Sequence, residues 1–175
     1  MEKLKVFKNK LILGLTSIVV LGLIIFSYIK IREYNILKDV FVFTSEDIVS
    51  IWRLKKGEDH YDYEYELSSN ECDALSSILI NANLKKAAIN DFPSNNVRLL
   101  TILLDGQTKE MDGGISYQFE RGITLIPIDK DSVYVFLEIN EPINDDSFNM
   151  NRAMEKSYII DSEKLVEFIN EHTSN

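Results

Sequence analysis

LILGLTSIVVLGLIIFSYI, residues 11–29, is a run of nineteen residues without one charge. At ~1.5 Å of rise per helical residue it just spans a ~30 Å hydrocarbon core. Inside lipid a lone segment pairs all its backbone groups only as a helix. The expectation is a transmembrane signal anchor at 11–29, preceded by a basic cytoplasmic tail (1–10) and followed by a stalk (30–39). Residues 40–175 then make one extracytoplasmic acidic α+β domain, large enough to bury its own core.

Other readings of the run fit less well. The apolar region of a cleavable signal peptide spans ~7–15 residues and ends in small side chains. Here Phe26-Ser27-Tyr28-Ile29-Lys30 closes the run, and the cysteine that a lipoprotein signal needs is absent, the chain's single one being Cys72. A soluble core helix would need a domain wrapped around an all-apolar cylinder. Lys3, Lys5, Lys8 and Lys10 precede the run, and Lys30, Arg32 and Lys38 follow it. This bias predicts a single-pass protein of the cell membrane with its N-terminus inside and its domain outside.

From Glu33 onward the chain has 13 Lys/Arg and 27 Asp/Glu, a formal charge of −14, against +5 for residues 1–32. Binding polyphosphate relies on clustered basic side chains, so nucleic acid is not expected as a partner. Solubility accounts for the acidity in the simplest reading, and a cationic partner or loosely held divalent ions in the other. Cys72 falls on the apolar face of a predicted helix and reads as core filler.

Along the domain, Val40–Phe43 is a β-prone entry strand or docking point. Ile48–Leu54 and Tyr61–Leu67 both alternate with period two and predict a hairpin around Gly57. Ser68-Ser69-Asn70-Glu71 is a capping box opening a helix to about Ala82, with Cys72, Leu75, Ile78, Leu79 and Ala82 on its buried face and Ser76 and Ser77 outside. Leu84–Ile89 is ambiguous, and 91–96 reads as a loop. A meander follows: Val97–Leu104, a tight turn at Asp105-Gly106, a return over Gln107–Met111, a second turn at Asp112-Gly113-Gly114, then Ile115–Phe119 and Ile123–Ile128. Val133–Ile139, VYVFLEI, is the most continuous apolar strand and is predicted central. Asn140–Lys156 reads as a long polar connection, Ser157–Ile160 as a last strand, and Asp161 as the cap of a terminal helix to about Glu171. The sum is an α+β, two-layer domain of mostly antiparallel sheet with two covering helices.

Catalytic signatures are missing. His60 falls in a loop and His172 at the C-terminus, with no Cys or His at ligand spacing, and Gly113-Gly114 is not followed by the lysine and helix of a phosphate loop. No serine sits in a nucleophile motif. The acidic clusters at 58–62 and 140–146 lack calcium-loop spacing. No catalytic, cofactor or metal residue is assigned, and no cofactor is expected. The candidate partner contacts are Trp52, Tyr61, Tyr63 and Tyr65, read either as a hairpin face packed under the helix or as an exposed aromatic face for glycan or protein. To these are added Phe148 and Met150, apolar residues beside Asp145 and Asp146 in a polar segment.

The succession of signal anchor, hairpin, capped helix, meander, and final Tyr-containing strand and helix resembles small uncharacterised membrane-anchored or lipoprotein domains of Gram-positive bacteria. The resemblance implies a surface-facing bacterial domain and transfers no functional residue. The functional expectation is a non-enzymatic, membrane-tethered binding or interaction domain that meets a protein or cell-wall component. The alternatives are a cell-envelope enzyme working through carboxylates and an acidic inhibitor or immunity protein.

Overall fold

The computed structural model describes residues 2–55, 57–58, 60–63, 65–87, 98–111, 114–142 and 150–174, some of them, 2–13 and 150–153 included, by their backbone alone. The chain divides into two compact units, Met1–Val40 and Phe41–Asn175. The described residues of the first unit, 2–40, all belong to the helix α1 (Glu2–Phe41). Among the described residues no helix is long and apolar enough to cross a membrane. Over 16–31 every described side chain of α1 is exposed, with Ile18, Leu23, Phe26 and Ile31 each open by 60% or more.

The second unit is α+β. Its strands β1 (Ile48–Leu54), β2 (Leu84–Lys86), β3 (Leu99–Met111), β4 (Gly114–Pro127), β5 (Ser132–Pro142) and β6 (Met150–Asp161) form one open sheet. Their order is β1-β3-β4-β5-β6-β2, and every neighbouring pair is antiparallel. VYVFLEI lies within β5, one of the two central strands, as its unbroken apolar character predicts. The three-residue strand β2 closes one edge with the exposed Lys85 and Lys86, charges that discourage edge-to-edge pairing.

The helix α3 (Glu163–Thr173) lies across β1, β3, β4 and β5, and α2 (Ser69–Ile80) packs beside it. The covered face of the sheet carries Ile51, Leu100, Ile102, Ile123, Leu125, Val135 and Leu137, all buried and matched by register. Leu165, Val166 and Ile169 close over it from α3. Each such side chain adds about 1.5–3 kcal/mol relative to exposure.

The Ser68 capping box forms as its spacing predicts. The Glu71 N–H donates to Ser68 Oγ (3.4 Å), and the Ser68 N–H donates to Glu71 Oε2 (2.6 Å). The Ser68 hydroxyl also donates to Glu71 Oε2 (2.6 Å), and this bond, with the one from the Ser68 N–H, holds the Glu71 carboxyl below its ordinary pKa, the hydroxyl contributing most. Cys72 is buried as expected, and burial pushes its thiol pKa up.

Several expectations are corrected. Val40–Phe43 is no strand: α1 runs to Phe41, and a short 3₁₀ turn, Ser45–Asp47, follows. Ser76 is buried rather than outside; its hydroxyl donates to the Phe41 carbonyl (2.7 Å) and accepts from the Phe43 N–H (3.4 Å). A chain leaving a helix leaves backbone groups unpaired, and Ser76 supplies the missing partner. The terminal helix is capped by Ser162, whose Oγ accepts from the Leu165 N–H (3.2 Å), while Asp161 remains the last residue of β6 and pairs with Lys85. Most of the polar segment 140–156 is strand: β5 extends to Pro142 and β6 begins at Met150.

Among the described residues of 61–67, the second half of the expected hairpin, none forms a strand. β1 pairs with β3 instead, and on its outer edge a single bridge, Arg53 with Asp62, is made before the chain departs. At Asp105-Gly106 the chain does not reverse, and β3 runs on to Met111 against β4. Asp105 does take the positive φ of 53° that its dipeptide favours. That conformation is spent on a kink within the ladder rather than on a turn.

Candidate functional site

The face of the sheet away from the helices carries the aromatic residues singled out in the sequence. Arg53 and Ile51 of β1 point to the helix side, so Trp52, between them, points to the other. Packing under the helix is therefore excluded for Trp52. Its indole N–H donates to Ser50 Oγ (3.0 Å), which fixes the ring. Tyr63 meets it edge-on at 5.4 Å between centroids and Tyr117 at 5.5 Å. Tyr61 lies 5.8 Å from Tyr63. Geometries of this kind add roughly 0.5–1.5 kcal/mol per pair beyond area burial. Tyr61 and Tyr63 nevertheless remain 41% and 49% exposed.

The rings of Trp52, Tyr61 and Tyr63 form one wall of a groove of about 390 Å³. Its floor is Leu103, Thr101, Thr124 and Ile126, and its far wall is Phe119, Phe136 and Glu138. Residues three apart on a regular strand face opposite sides, yet Phe119 and Gly122 both border the groove. The pleat shifts between them, opposite the positive φ of Asp105. The shift lays the Phe119 ring over Gly122, where a Cβ would meet Phe119 Cε2 at 2.9 Å. The hydroxyls of Thr101 and Thr124 face each other at 3.0 Å across β3 and β4. A larger cleft of about 700 Å³ follows the outer edge of β1 past Tyr63, where the chain from Tyr63 to Leu67 diverges from that strand.

Tyr65 does not join the groove. Its hydroxyl is hydrogen-bonded to Nδ1 of His172 at 2.5 Å, and the Arg53 guanidinium lies 3.9 Å above its ring. Burial raises the Tyr65 pKa, partly offset by the Arg53 charge. Arg53 also donates to Asp62 Oδ2 (2.7 Å) and to the His172 carbonyl (3.1 Å). His172, expected in a fraying terminus, is buried inside α3, with the Phe168 ring at 4.2 Å and Glu71 Oε1 3.9 Å from its Nε2. This cluster anchors the segment that carries Tyr61 and Tyr63. The arrangement positions a wall and involves no groove residue.

Phe148 lies outside the described residues, and Met150 enters only through the backbone of β6. Among the described residues no group of three or more His, Cys, Asp or Glu is placed to hold a metal ion. Depressed carboxyls have local structural causes: the Thr44 N–H bonds Asp47 Oδ2 (2.7 Å), and the Asp131 N–H bonds Asp129 Oδ1 (2.8 Å). Phe119, Phe136 and Glu138 were not foreseen as site residues. Their signal lay in the period-two pattern of VYVFLEI, which puts Phe136 and Glu138 on one face. Compared with protein-family models, curated proteins and solved structures, the chain matches none.

Proposed function

We propose that this chain is a non-enzymatic binding domain tethered to the outer face of the cell membrane by residues 11–29. The tether rests on the charge-free run and on the exposure of every described apolar side chain of α1 over 16–31, an arrangement whose cost in water is removed by lipid. The binding role rests on one observation, the aromatic groove on the sheet face opposite the helices. Its volume lies near the lower end of the ~300–1,000 Å³ range of ligand clefts, and its rings stand partly open.

A ligand-observed NMR screen of small aromatic fragments against the full chain in lipid nanodiscs tests this. Fragments that bind wild type should lose binding in Tyr61→Ser/Tyr63→Ser, whose folding is checked by its thermal melt because two ring pairs are lost with these side chains. Equal binding to both proteins, or to neither, removes the groove as the site.

A further inference from the structure

The groove's chemistry also selects its occupant. Most of its polar groups are spent inside the protein. The single N–H of the Trp52 side chain goes to Ser50, the Thr101 and Thr124 hydroxyls face each other, and Glu138 is already engaged within the chain. The phenol hydroxyls of Tyr61 and Tyr63 differ: neither bonds a described residue, and both side chains stand partly open. Free donors beside ring faces, with few free acceptors, suit a chain that offers carbonyls and lacks N–H groups. Proline-rich sequence meets that description. Its proline residues have no N–H, and its polyproline II helix makes no internal hydrogen bond, so each carbonyl is open to a phenol.

Other backbones fit less well. The floor strands β3 and β4 are each paired on both sides, so an added strand finds no open main-chain groups there. Trp52 on β1 and Phe136 on β5 are three strand spacings apart, about 14 Å at ~4.8 Å each, and the rings take up part of that width. A helix, ~10–12 Å across with its side chains, does not fit between them, and its carbonyls are bonded internally. Charge decides the flanks of the occupant. No lysine, arginine or histidine is among the described residues lining the groove, and the chain from Glu33 onward has a formal charge of −14. Resting on the reading of the groove as a binding site, we infer that its occupant is a proline-rich segment of a partner protein. That segment is flanked by lysine or arginine and docks as a polyproline II helix against the aromatic wall.

Trp52 is the chain's single tryptophan, so its fluorescence reports on this groove. Full-length protein in zwitterionic nanodiscs is titrated with acetyl-Lys-Pro-Pro-Pro-Pro-Lys-amide, with its counterpart carrying alanine in place of proline, and with the glutamate-flanked proline peptide. The first should give a saturable change, and the alanine peptide should bind at least about tenfold more weakly. The glutamate-flanked peptide should bind several-fold more weakly at low salt, a gap that closes near about 1 M salt. Tyr61→Phe/Tyr63→Phe keeps the rings and removes the hydroxyls; it should weaken the lysine-flanked proline peptide several-fold and leave binding of toluene, a ring without polar groups, unchanged. Equal binding of the two flanked proline peptides at low salt overturns the basic flanks. Equal binding of the proline and alanine peptides, proline-peptide affinity unchanged in the Phe variant, or toluene binding with no response to the proline peptides overturns the proline assignment and leaves the groove as an apolar site. If toluene and the peptides alike leave Trp52 unperturbed, the groove reading falls as well.

Discussion

Gly106→Ala is a direct probe of the kink that builds the groove. A Cβ at Gly106 would press on the Gln118 carbonyl oxygen and come within 2.8 Å of the Gln118 carbonyl carbon and of Phe119 Cα. All three are backbone atoms of the paired strand, so no side chain can swing aside, and the rung between Gly106 and Phe119 must open. Ordinary overpacking costs about 1–3 kcal/mol where neighbours yield, and an unyielding backbone places this substitution at about 3 kcal/mol. For a domain of this size each kcal/mol lowers Tm by about 3–4 °C, giving a loss of about 9–12 °C. Gly122→Ala is the matched control. Its new methyl meets the edge of the Phe119 ring at 2.9 Å and Glu138 Cβ at 3.5 Å. The ring can swing, so about 1 kcal/mol is expected. Thermal unfolding of the full chain in mild detergent, followed by Trp52 fluorescence, reads both. A Gly106→Ala midpoint no lower than that of Gly122→Ala would refute the close approach of β3 and β4 at this point.

Ser76→Ala strands the Phe41 carbonyl and should cost about 1–3 kcal/mol, measured by denaturant unfolding, whereas the neighbouring exposed Ser77→Ala should stay within about 0.5 kcal/mol. Glu71 has a folded pKa below its unfolded one, so its contribution is complete above the unfolded value and is lost as pH falls through the folded one; wild type should therefore lose more stability than Glu71→Gln between about pH 6 and about pH 3. Ser68→Ala removes the cap of the same helix and should lower stability by about 1 kcal/mol at neutral pH. In cells, Glu58→Cys in a Cys72→Ser background should react with an impermeant maleimide before lysis and stay with alkali-washed membranes; labelling only after lysis would reverse the orientation.

Where local chemistry determined a feature, it was readable. Ser68 and Glu71 are a complete cap in four residues, and VYVFLEI carries its burial in its own composition. What was unreadable depended on partners distant in the chain. Tyr61–Leu67 has the alternation of a strand, but alternation specifies a face and not a neighbour. The outer edge of β1 accepts this segment only at Asp62, after which Tyr65 is drawn to His172 and Arg53. His172 looked like a terminal residue because its burial depends on Tyr65 and Phe168, one of which lies far upstream. The polar residues from Asn140 to Lys156 masked two strand ends, since strand extensions beyond the covered face need no apolar side chains.

The site was half readable for the same reason. Trp52, Tyr61 and Tyr63 share one face by simple alternation, and their grouping survives the loss of the hairpin because the single bridge at Asp62 holds the register over those residues. The opposite wall depends on an irregularity. Asp105-Gly106 carries the composition of a turn, and its positive φ and close approach are both realised, yet the long ladder around it converts a reversal into a shift of pleat. On β4 that shift brings Phe119 to the side of Gly122, Thr124 and Ile126, where strict alternation would place it among the helix-facing residues. The dipeptide that misled the reading of the meander thus supplies the groove with its aromatic far wall. A groove assembled this way depends on backbone geometry at Gly106 as much as on the rings themselves.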